Sequence, residues 1–152
     1  GQVIPGPASQ LDVVPTVAAA AGARLPDDRI IDGIDLLPML KQGNVGAYAA
    51  LGRRTLYWQQ GEYRALREGR WKLQVQKDPE REWLFDLEQD PTEQINLAAR
   101  FPEKAAELRQ ALDRLAGEMA EPMWRSPYRM RMRVGPHVDE GDQAQTDFVW
   151  NG

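Results

Sequence analysis

Apolar and polar residues follow a strand-like pattern over residues 55–87, in four short segments separated by turn residues. In the third segment the two kinds of side chain alternate strictly: Trp71, Lys72, Leu73, Gln74, Val75 and Gln76. A period of two places the apolar side chains on one face of a strand and the polar ones on the other. Gly61 and Gly69 lie between segments at hairpin distance, and Asp78-Pro79 interrupts the next connection. The pattern predicts a four-stranded antiparallel meander with one apolar face.

A long amphipathic helix is predicted next, over residues 102–119, with Pro102 at its first position. Its apolar residues recur at steps of three and four: Ala105, Leu108, Leu112, Leu115 and Met119. Arg109 and Asp113 are spaced to form an ion pair across one turn. Because a single-layer sheet needs a cover, we expect this helix to pack on the meander, which makes the predicted fold class α+β.

A shorter helix is predicted over residues 11–21. Ser9 and Asp12 have the spacing of a capping box, and Gly22 suits the end of the helix. The helix is apolar on almost every side, which favours burial all round, and no segment in the next thirty residues can surround it. The mismatch indicates a piece of a larger protein. A second short helix is expected at residues 36–41, followed by a small-residue linker at 44–52.

The composition of the 152 residues limits the available chemistry. The net charge of −4 provides no general attraction to nucleic acid or to anionic membranes. No run approaches the ~18 apolar residues of a membrane span. The sequence has no cysteine, which excludes disulfides and thiolate zinc sites, and its single histidine excludes His-rich metal sites.

Four blocks together resemble the C-terminal part of the sulfatase family, the formylglycine-dependent sulfate-ester hydrolases with an alkaline-phosphatase-like fold. Residues 9–22 are similar to S-x-x-D-x-x-P-T-x-x-x-x-A-G, and residues 32–38 (DGIDLLP) are similar to D-G-x-S/D-L-x-P. Residues 65–73 (ALREGRWKL) resemble A-x-R-x-G-x-W-K-L. Residues 84–97 resemble L-Y/F-D-L-x-x-D-P-x-E-x-x-N-L. In this order and spacing, the blocks cover about residues 4–120.

The resemblance implies a division of the chain into three parts. Residues 1–45 would be the last helices of a larger catalytic α/β domain, and residues 54–120 would be the C-terminal subdomain formed by the meander and its helix. Residues 121–152 would be an extended tail. The missing N-terminal catalytic domain is then the expected partner of this chain, and the substrate of the parent enzyme would be a sulfated small molecule or glycan.

The family's nucleophile is missing from this sequence. In sulfatases a Cys or Ser in the motif C/S-x-P-x-R is oxidised to formylglycine, and a divalent cation, expected to be calcium, assists it. The nearest run here, at residues 126–129, has the wrong spacing. The resemblance therefore implies that the chain begins just after the catalytic machinery ends, with no catalytic residue or metal ligand of its own. We expect the isolated segment to be inactive.

The candidate substrate-binding residues lie in the tail: Arg129, Arg131, Arg133 and His137. The arginines could steer a sulfated substrate, since guanidinium groups suit planar oxyanions. They could instead bind nucleic acid beside Trp124 and Tyr128, or simply pair with acidic residues such as Asp139, and we expect no nucleic-acid or membrane partner. His137 could contact substrate if the tail folds over the active-site mouth, although a lone histidine is more often solvated.

Two alternatives to a sulfatase segment remain open from the residues. The parent could be a phosphatase or phosphonate monoester hydrolase on the same scaffold, because only the absent nucleophile motif separates these classes. The segment could also be a non-catalytic interaction module that has kept the subdomain alone. The compartment is likewise open, with a periplasmic or secreted location slightly favoured by the resemblance.

Overall fold

The computed structural model describes residues 6–40, 54–77 and 80–120, together with the backbone of residues 129–133 and 147–151. The expected turn at Asp78-Pro79, the linker at 44–52 and most of the tail, including His137, lie outside these residues. The chain divides into two compact units, Gly1–Arg54 and Thr55–Gly152.

The first unit contains a 3-10 turn at Gln10–Asp12, helix α1 at Val13–Ala20 and helix α2 at Leu37–Leu40. The predicted capping box is confirmed. The Ser9 side chain accepts a hydrogen bond from the Leu11 N–H, and the Asp12 carboxylate accepts one from the Ser9 N–H at 2.7 Å. Gly22 follows α1 with φ +66°, the left-handed conformation that ends many helices.

The apolar surface of α1 is not enclosed within the chain. Four side chains at and just before the helix are between 58 and 63% exposed: Leu11, Val13, Val14 and Val17. Isolated exposed apolar residues are common, but four adjacent ones on a short helix form a patch that favours a partner.

The second unit is the predicted meander. Strands β1 Thr55–Gln60, β2 Tyr63–Glu68, β3 Trp71–Gln76 and β4 Arg81–Asp86 pair in that order, each antiparallel to the next. Helix α3, Pro102–Glu118, packs on β2 and β3. The strand pairing and the covering helix confirm the predicted fold class.

The core lies between α3 and one face of the sheet. It is built from fully or almost fully buried apolar side chains: Leu66, Leu73, Val75, Leu84, Ala105, Leu108 and Leu112. Trp71 lies at its edge, with its ring 5.5 Å from the Phe101 ring in an edge-to-face arrangement. Leu115 is only partly buried and Met119, at 46% exposed, follows the helix end, so the predicted apolar stripe is buried over its first three members.

Two details of the sequence interpretation are wrong. Arg109 does not pair with Asp113 along the helix, because each bonds to the sheet: Arg109 to Glu82 at 3.1 Å and Asp113 to Arg64 at 3.2 Å. A tertiary partner held by the packed core replaces a surface pair worth only tenths of a kcal/mol.

The second face of the sheet is also not the polar surface that β3 alone predicts. Gln74 and Gln76 share that face with Trp83 and Phe85, which are 2% and 1% exposed. Strand β4 has large apolar residues on both faces: Leu84 faces α3, and its neighbours Trp83 and Phe85 face away from it. Gln76 is itself buried, so this sheet has two covered faces over part of its area.

Two further strands pair antiparallel in the tail, β5 Arg129–Arg133 and β6 Asp147–Asn151. Within the described ranges, no helix has the length and apolar character needed to cross a bilayer.

Candidate functional site

The predicted arginines lie at alternate positions on β5. Arg129, Arg131 and Arg133 are in register with Asn151, Val149 and Asp147 of β6. His137 lies outside the described residues. The structure thus brings the three arginines onto one short strand, and their contact with substrate stays a prediction.

The first two sequence blocks meet at the Asp12 carboxylate, which is 0% exposed. Its oxygens accept hydrogen bonds from the Ser9 N–H at 2.7 Å, from the Ile34 N–H at 3.0 Å and from the Arg54 guanidinium at 2.5 Å. Burial raises the pKa of Asp12, but these bonds, that from Arg54 foremost, outweigh it and lower the pKa from 3.8 to about 2. Asp12 is therefore an ionised clasp that ties the start of α1 to the loop before α2.

Thr16 and Gly33 complete this clasp. The Thr16 hydroxyl donates to the Asp12 carbonyl at 2.6 Å and accepts from the Leu36 N–H at 3.0 Å. A Cβ atom at Gly33 would lie 1.9 Å from the Leu11 carbonyl oxygen, so only glycine allows the loop to approach the helix this closely. The residues of the first two blocks that resemble sulfatases thus hold the backbone of α1 against the backbone of the loop before α2.

The third and fourth blocks meet in a second clasp between adjacent strands. Arg70 Nε donates to Asp86 Oδ1 at 2.7 Å, and a second guanidinium nitrogen donates to Oδ2. Glu88 lies 3.3 Å from the same guanidinium. The hydrogen bonds from Arg70 hold the pKa of Asp86 below its usual value. A bidentate pair of this kind fixes orientation as well as charge.

The loop of the fourth block folds back onto the sheet. Asp90 Oδ2 accepts from the N–H groups of Gln94 and Ile95 at 2.7 and 2.8 Å, which closes the loop. Glu93 has φ +58° and bonds to Lys72 Nζ at 2.6 Å and to the Gln74 amide.

The Asn96 side chain bonds to the backbone along the outer edge of β4. Its side-chain oxygen accepts from the Leu84 N–H at 3.0 Å, and its amide donates to the Glu82 carbonyl at 3.0 Å. Asn96 also accepts from the Ala98 N–H, the local bond expected of a turn residue. The sequence analysis placed Asn96 within the fourth block but predicted none of these bonds to β4.

Sequence reasoning also missed an open cavity of about 520 Å³ on the second unit. The described residues that line it are Trp58, Gln59, Gln60, Tyr63, Ala65 and Lys72. The signal was the small Ala65 among larger neighbours on alternating strand positions, which leaves a depression in a sheet face.

The described residues do not fit the groups that the resemblance implies. Within the residues that the structure describes, no group of three or more His, Cys, Asp or Glu side chains could hold a metal ion. The buried Asp12 carboxylate already has three donors, including a cation. Ser9, the one serine in the described part, lies at a helix cap and not in the formylglycine motif.

The chain is similar in sequence to several proteins that are all named sulfatases, although no family model matches it. Human steryl-sulfatase is 61% identical over 41 residues, covering 27% of this chain and 7% of that protein. Choline-sulfatase of Rhizobium meliloti is 41% identical over 97 residues, covering 60% and 18%. Bovine arylsulfatase A is 33% identical over 141 residues, covering 76% and 28%. The chain therefore spans between 7 and 28% of the length of these three relatives.

Solved structures show the same architecture. The structure of Ps i-CgsB covers 80% of this chain and 27% of its own, with a TM-score of 0.65 and 22% identity, which supports the fold alone. A 2-O GAG sulfatase covers 70% of this chain and 24% of its own, with a TM-score of 0.52 and 27% identity. In sequence and in fold, this chain is therefore similar to part of the proteins of the sulfatase family.

Proposed function

We propose that the chain is the C-terminal part of a sulfate-ester hydrolase, in which it supports the catalytic domain and does not supply the reacting groups. One observation carries the proposal: the residues that make the chain resemble sulfatases are engaged in internal clasps. Asp12 holds the loop before α2, Arg70 holds Asp86, and Asn96 holds the edge of β4. Residues used in this way stabilise a scaffold.

The nucleophile and the cation of the parent enzyme are then supplied by sequence outside these 152 residues. We propose formylglycine and calcium for those roles, on the resemblance of the four blocks. The substrate would be a sulfated small molecule or glycan. The relatives named above are sulfatases by name, which favours a sulfate ester over the phosphate or phosphonate esters of the alternative hydrolases.

The partner of the first unit would be the catalytic domain of the same parent protein. The four exposed apolar side chains at α1 supply the surface for it. Complete burial of an aliphatic side chain is worth roughly 1.5–3 kcal/mol, and more than half of each remains exposed, so the patch offers about 1–2 kcal/mol per residue. Burying the patch would make this unit an integral part of a larger core.

The activity proposal is tested with the isolated 152-residue chain and the parent protein. We expect the chain alone to leave a chromogenic aryl sulfate intact while the parent hydrolyses it. Turnover that follows the isolated chain through gel filtration would refute the scaffold role. Hydrolysis by the parent of aryl phosphate or phosphonate esters in preference to the sulfate would refute the sulfatase assignment.

The packing proposal has a matched pair of variants. Val17→Asp places a charge in the α1 patch, whereas Ile30→Asp changes an apolar residue that is 89% exposed elsewhere in the same unit. In the parent we expect Val17→Asp to reduce the yield of soluble enzyme and Ile30→Asp to leave it unchanged. In the isolated chain, Val17→Asp should reduce the binding of a hydrophobic dye. Equal effects of the two variants, or a monodisperse wild-type chain that binds no dye, would favour the interaction module.

The tail residues Arg129, Arg131, Arg133 and His137 are proposed to contact the substrate of the parent. The regular spacing of the three arginines along β5 supports this, since alternate positions of a strand share a side. We expect Arg131→Gln to raise the KM of the parent for a sulfate ester with little change in kcat, and Arg24→Gln to change neither. An unchanged KM in the Arg131→Gln variant would show that Arg131 does not contact the substrate.

A further inference from the structure

The cavity on the second unit has the construction of a small-molecule site. Its volume of about 520 Å³ falls within the range of roughly 300–1,000 Å³ typical of ligand pockets. Trp58 forms part of its wall and is 45% exposed, whereas Trp83 and Phe85 of the same sheet are buried. Ala65, the cross-strand partner of Trp58, is 2% exposed and leaves room beside the indole ring.

The polar side chains around this aromatic surface are an amide and a phenol. The Gln59 side chain lies on the other face of β1, where it accepts a hydrogen bond from the Tyr57 hydroxyl at 2.6 Å. Burial, with the negative charge of Glu93 as a smaller contribution, raises the pKa of Tyr63 to about 12, so its hydroxyl stays protonated and can donate or accept. Gln60 adds another group with both capacities.

The one cation that lines the cavity among the described residues is already matched. Lys72 Nζ lies 2.6 Å from Glu93 Oε1, so the two formal charges offset each other at the edge of the cavity. The described part of the lining is therefore electrically balanced and holds no unpaired arginine or lysine of the kind that favours binding of a sulfate or phosphate group.

We propose that this cavity binds a neutral saccharide ring, with one face of the ring stacked on Trp58 and its hydroxyls bonded to Gln60 and Tyr63. Sugar hydroxyls both donate and accept, as do amides and phenols, and a ring's C–H face is apolar enough to lie on an indole. The site would hold an uncharged unit of a glycan. The inference does not depend on sulfate-ester hydrolysis, because it concerns binding to this unit alone.

The probe is lactose, titrated into the ¹⁵N-labelled 152-residue chain, with the Trp58 indole N–H assigned through Trp58→Phe. We expect a saturable shift of this resonance, with an apparent Kd that changes less than about twofold when salt is raised to about 0.5 M, since a neutral ligand is not screened. In the Trp58 variants binding is followed through the backbone N–H of Gln60 instead; there Trp58→Ala should weaken binding about tenfold, and Trp58→Phe should retain most of it. Ile95→Ala, an exposed apolar residue of the same unit outside the cavity lining, should leave binding unchanged.

A second variant tests the cavity itself. Ala65→Leu fills the space beside Trp58 and should abolish the lactose response while the chain still melts cooperatively. If that variant does not fold, the Trp58 pair decides the question. The proposal is overturned if lactose produces no saturable shift, if Trp58→Ala binds as well as wild type, or if galactose 6-sulfate binds with steep salt dependence and lactose does not.

Discussion

Replacing Arg70 by methionine tests whether the clasp between the third and fourth blocks stabilises the sheet. The Asp86 residue is 6% exposed, and Arg70→Met leaves its carboxylate with the Glu88 N–H at 3.2 Å but without a cation. Breaking a buried pair costs about 3–5 kcal/mol, whereas exposed pairs contribute about 0.2–1 kcal/mol. The Arg70 side chain is 38% exposed, so solvent screening places the expected loss near 2 kcal/mol. Arg70→Met also removes the guanidinium that lies 5.7 Å from the centre of the Trp71 ring, although the methionine side chain replaces the aliphatic part of the arginine.

The assay is urea unfolding at pH 7, followed by tryptophan fluorescence and far-UV circular dichroism. Lys104→Met is the matched control, because it removes a lysine that pairs with Glu107 at 2.9 Å on the surface of α3. We expect the control to lose less than about 0.5 kcal/mol. The double variant Arg70→Met, Asp86→Asn should recover part of the loss, since it no longer buries an unpaired charge. Equal midpoints for Arg70→Met and the control would refute the reasoning.

The same pair predicts a pH dependence. Hydrogen bonds from Arg70 hold the pKa of Asp86 below its ordinary value of 3.8 in the folded chain. A carboxylate with a depressed folded pKa adds stability that is fully present above the unfolded pKa and is lost as the pH falls through the folded one. The difference in free energy of unfolding between wild type and Arg70→Met should therefore shrink as the pH falls below 3.8. If the difference in free energy of unfolding between the two proteins stays constant down to pH 2, the ion pair does not depend on ionised Asp86 and this prediction is wrong.

Three further predictions concern the core, the first clasp and the loop of the fourth block. Leu108→Ala, at a fully buried position of α3, should lower the free energy of unfolding by about 3–5 kcal/mol, and the partly buried Leu115→Ala by clearly less, in the same urea assay. Carboxyl NMR should find the Asp12 midpoint at about 2, and Arg54→Met should raise it. Glu93→Gly should be less destabilising than Glu93→Ala by about 1 kcal/mol, because both lose the side chain but only glycine adopts φ +58° without strain.

The meander and its helix could be predicted because their signals are local. The alternation in β3, the glycines between strands and the helical spacing of Leu108 and Leu112 each depend on residues a few positions apart. The sequence of β4 also predicts the buried second face, because Trp83 and Phe85 flank Leu84 and lie on the opposite face. The prediction of one polar face was based on the alternation in β3 alone. A strand with large apolar residues at both odd and even positions indicates a sheet that is covered on both faces.

The partners of the clasp residues could not be predicted, because they are distant in sequence. Asp12 bonds to Ile34 and Arg54, which are 22 and 42 positions away, and Glu93 bonds to Lys72 across 21 positions. Sequence spacing identified the residues through local rules such as the capping box. Which donor reaches a given carboxylate depends on how loops return, and that is decided by packing.

The direction of the shifted pKa values separates this region from an acid–base active site. A general acid or base needs a pKa near the working pH, whereas the groups with shifted pKa in the described part of the chain all move away from neutrality. The pKa of Asp12 falls to about 2 and that of Asp86 falls below 3.8, while the pKa of Tyr63 rises to about 12. At neutral pH each group therefore keeps one protonation state, which is what a permanent ion pair or hydrogen bond requires. These charged groups hold strands and loops in place, which supports the scaffold role proposed for the segment.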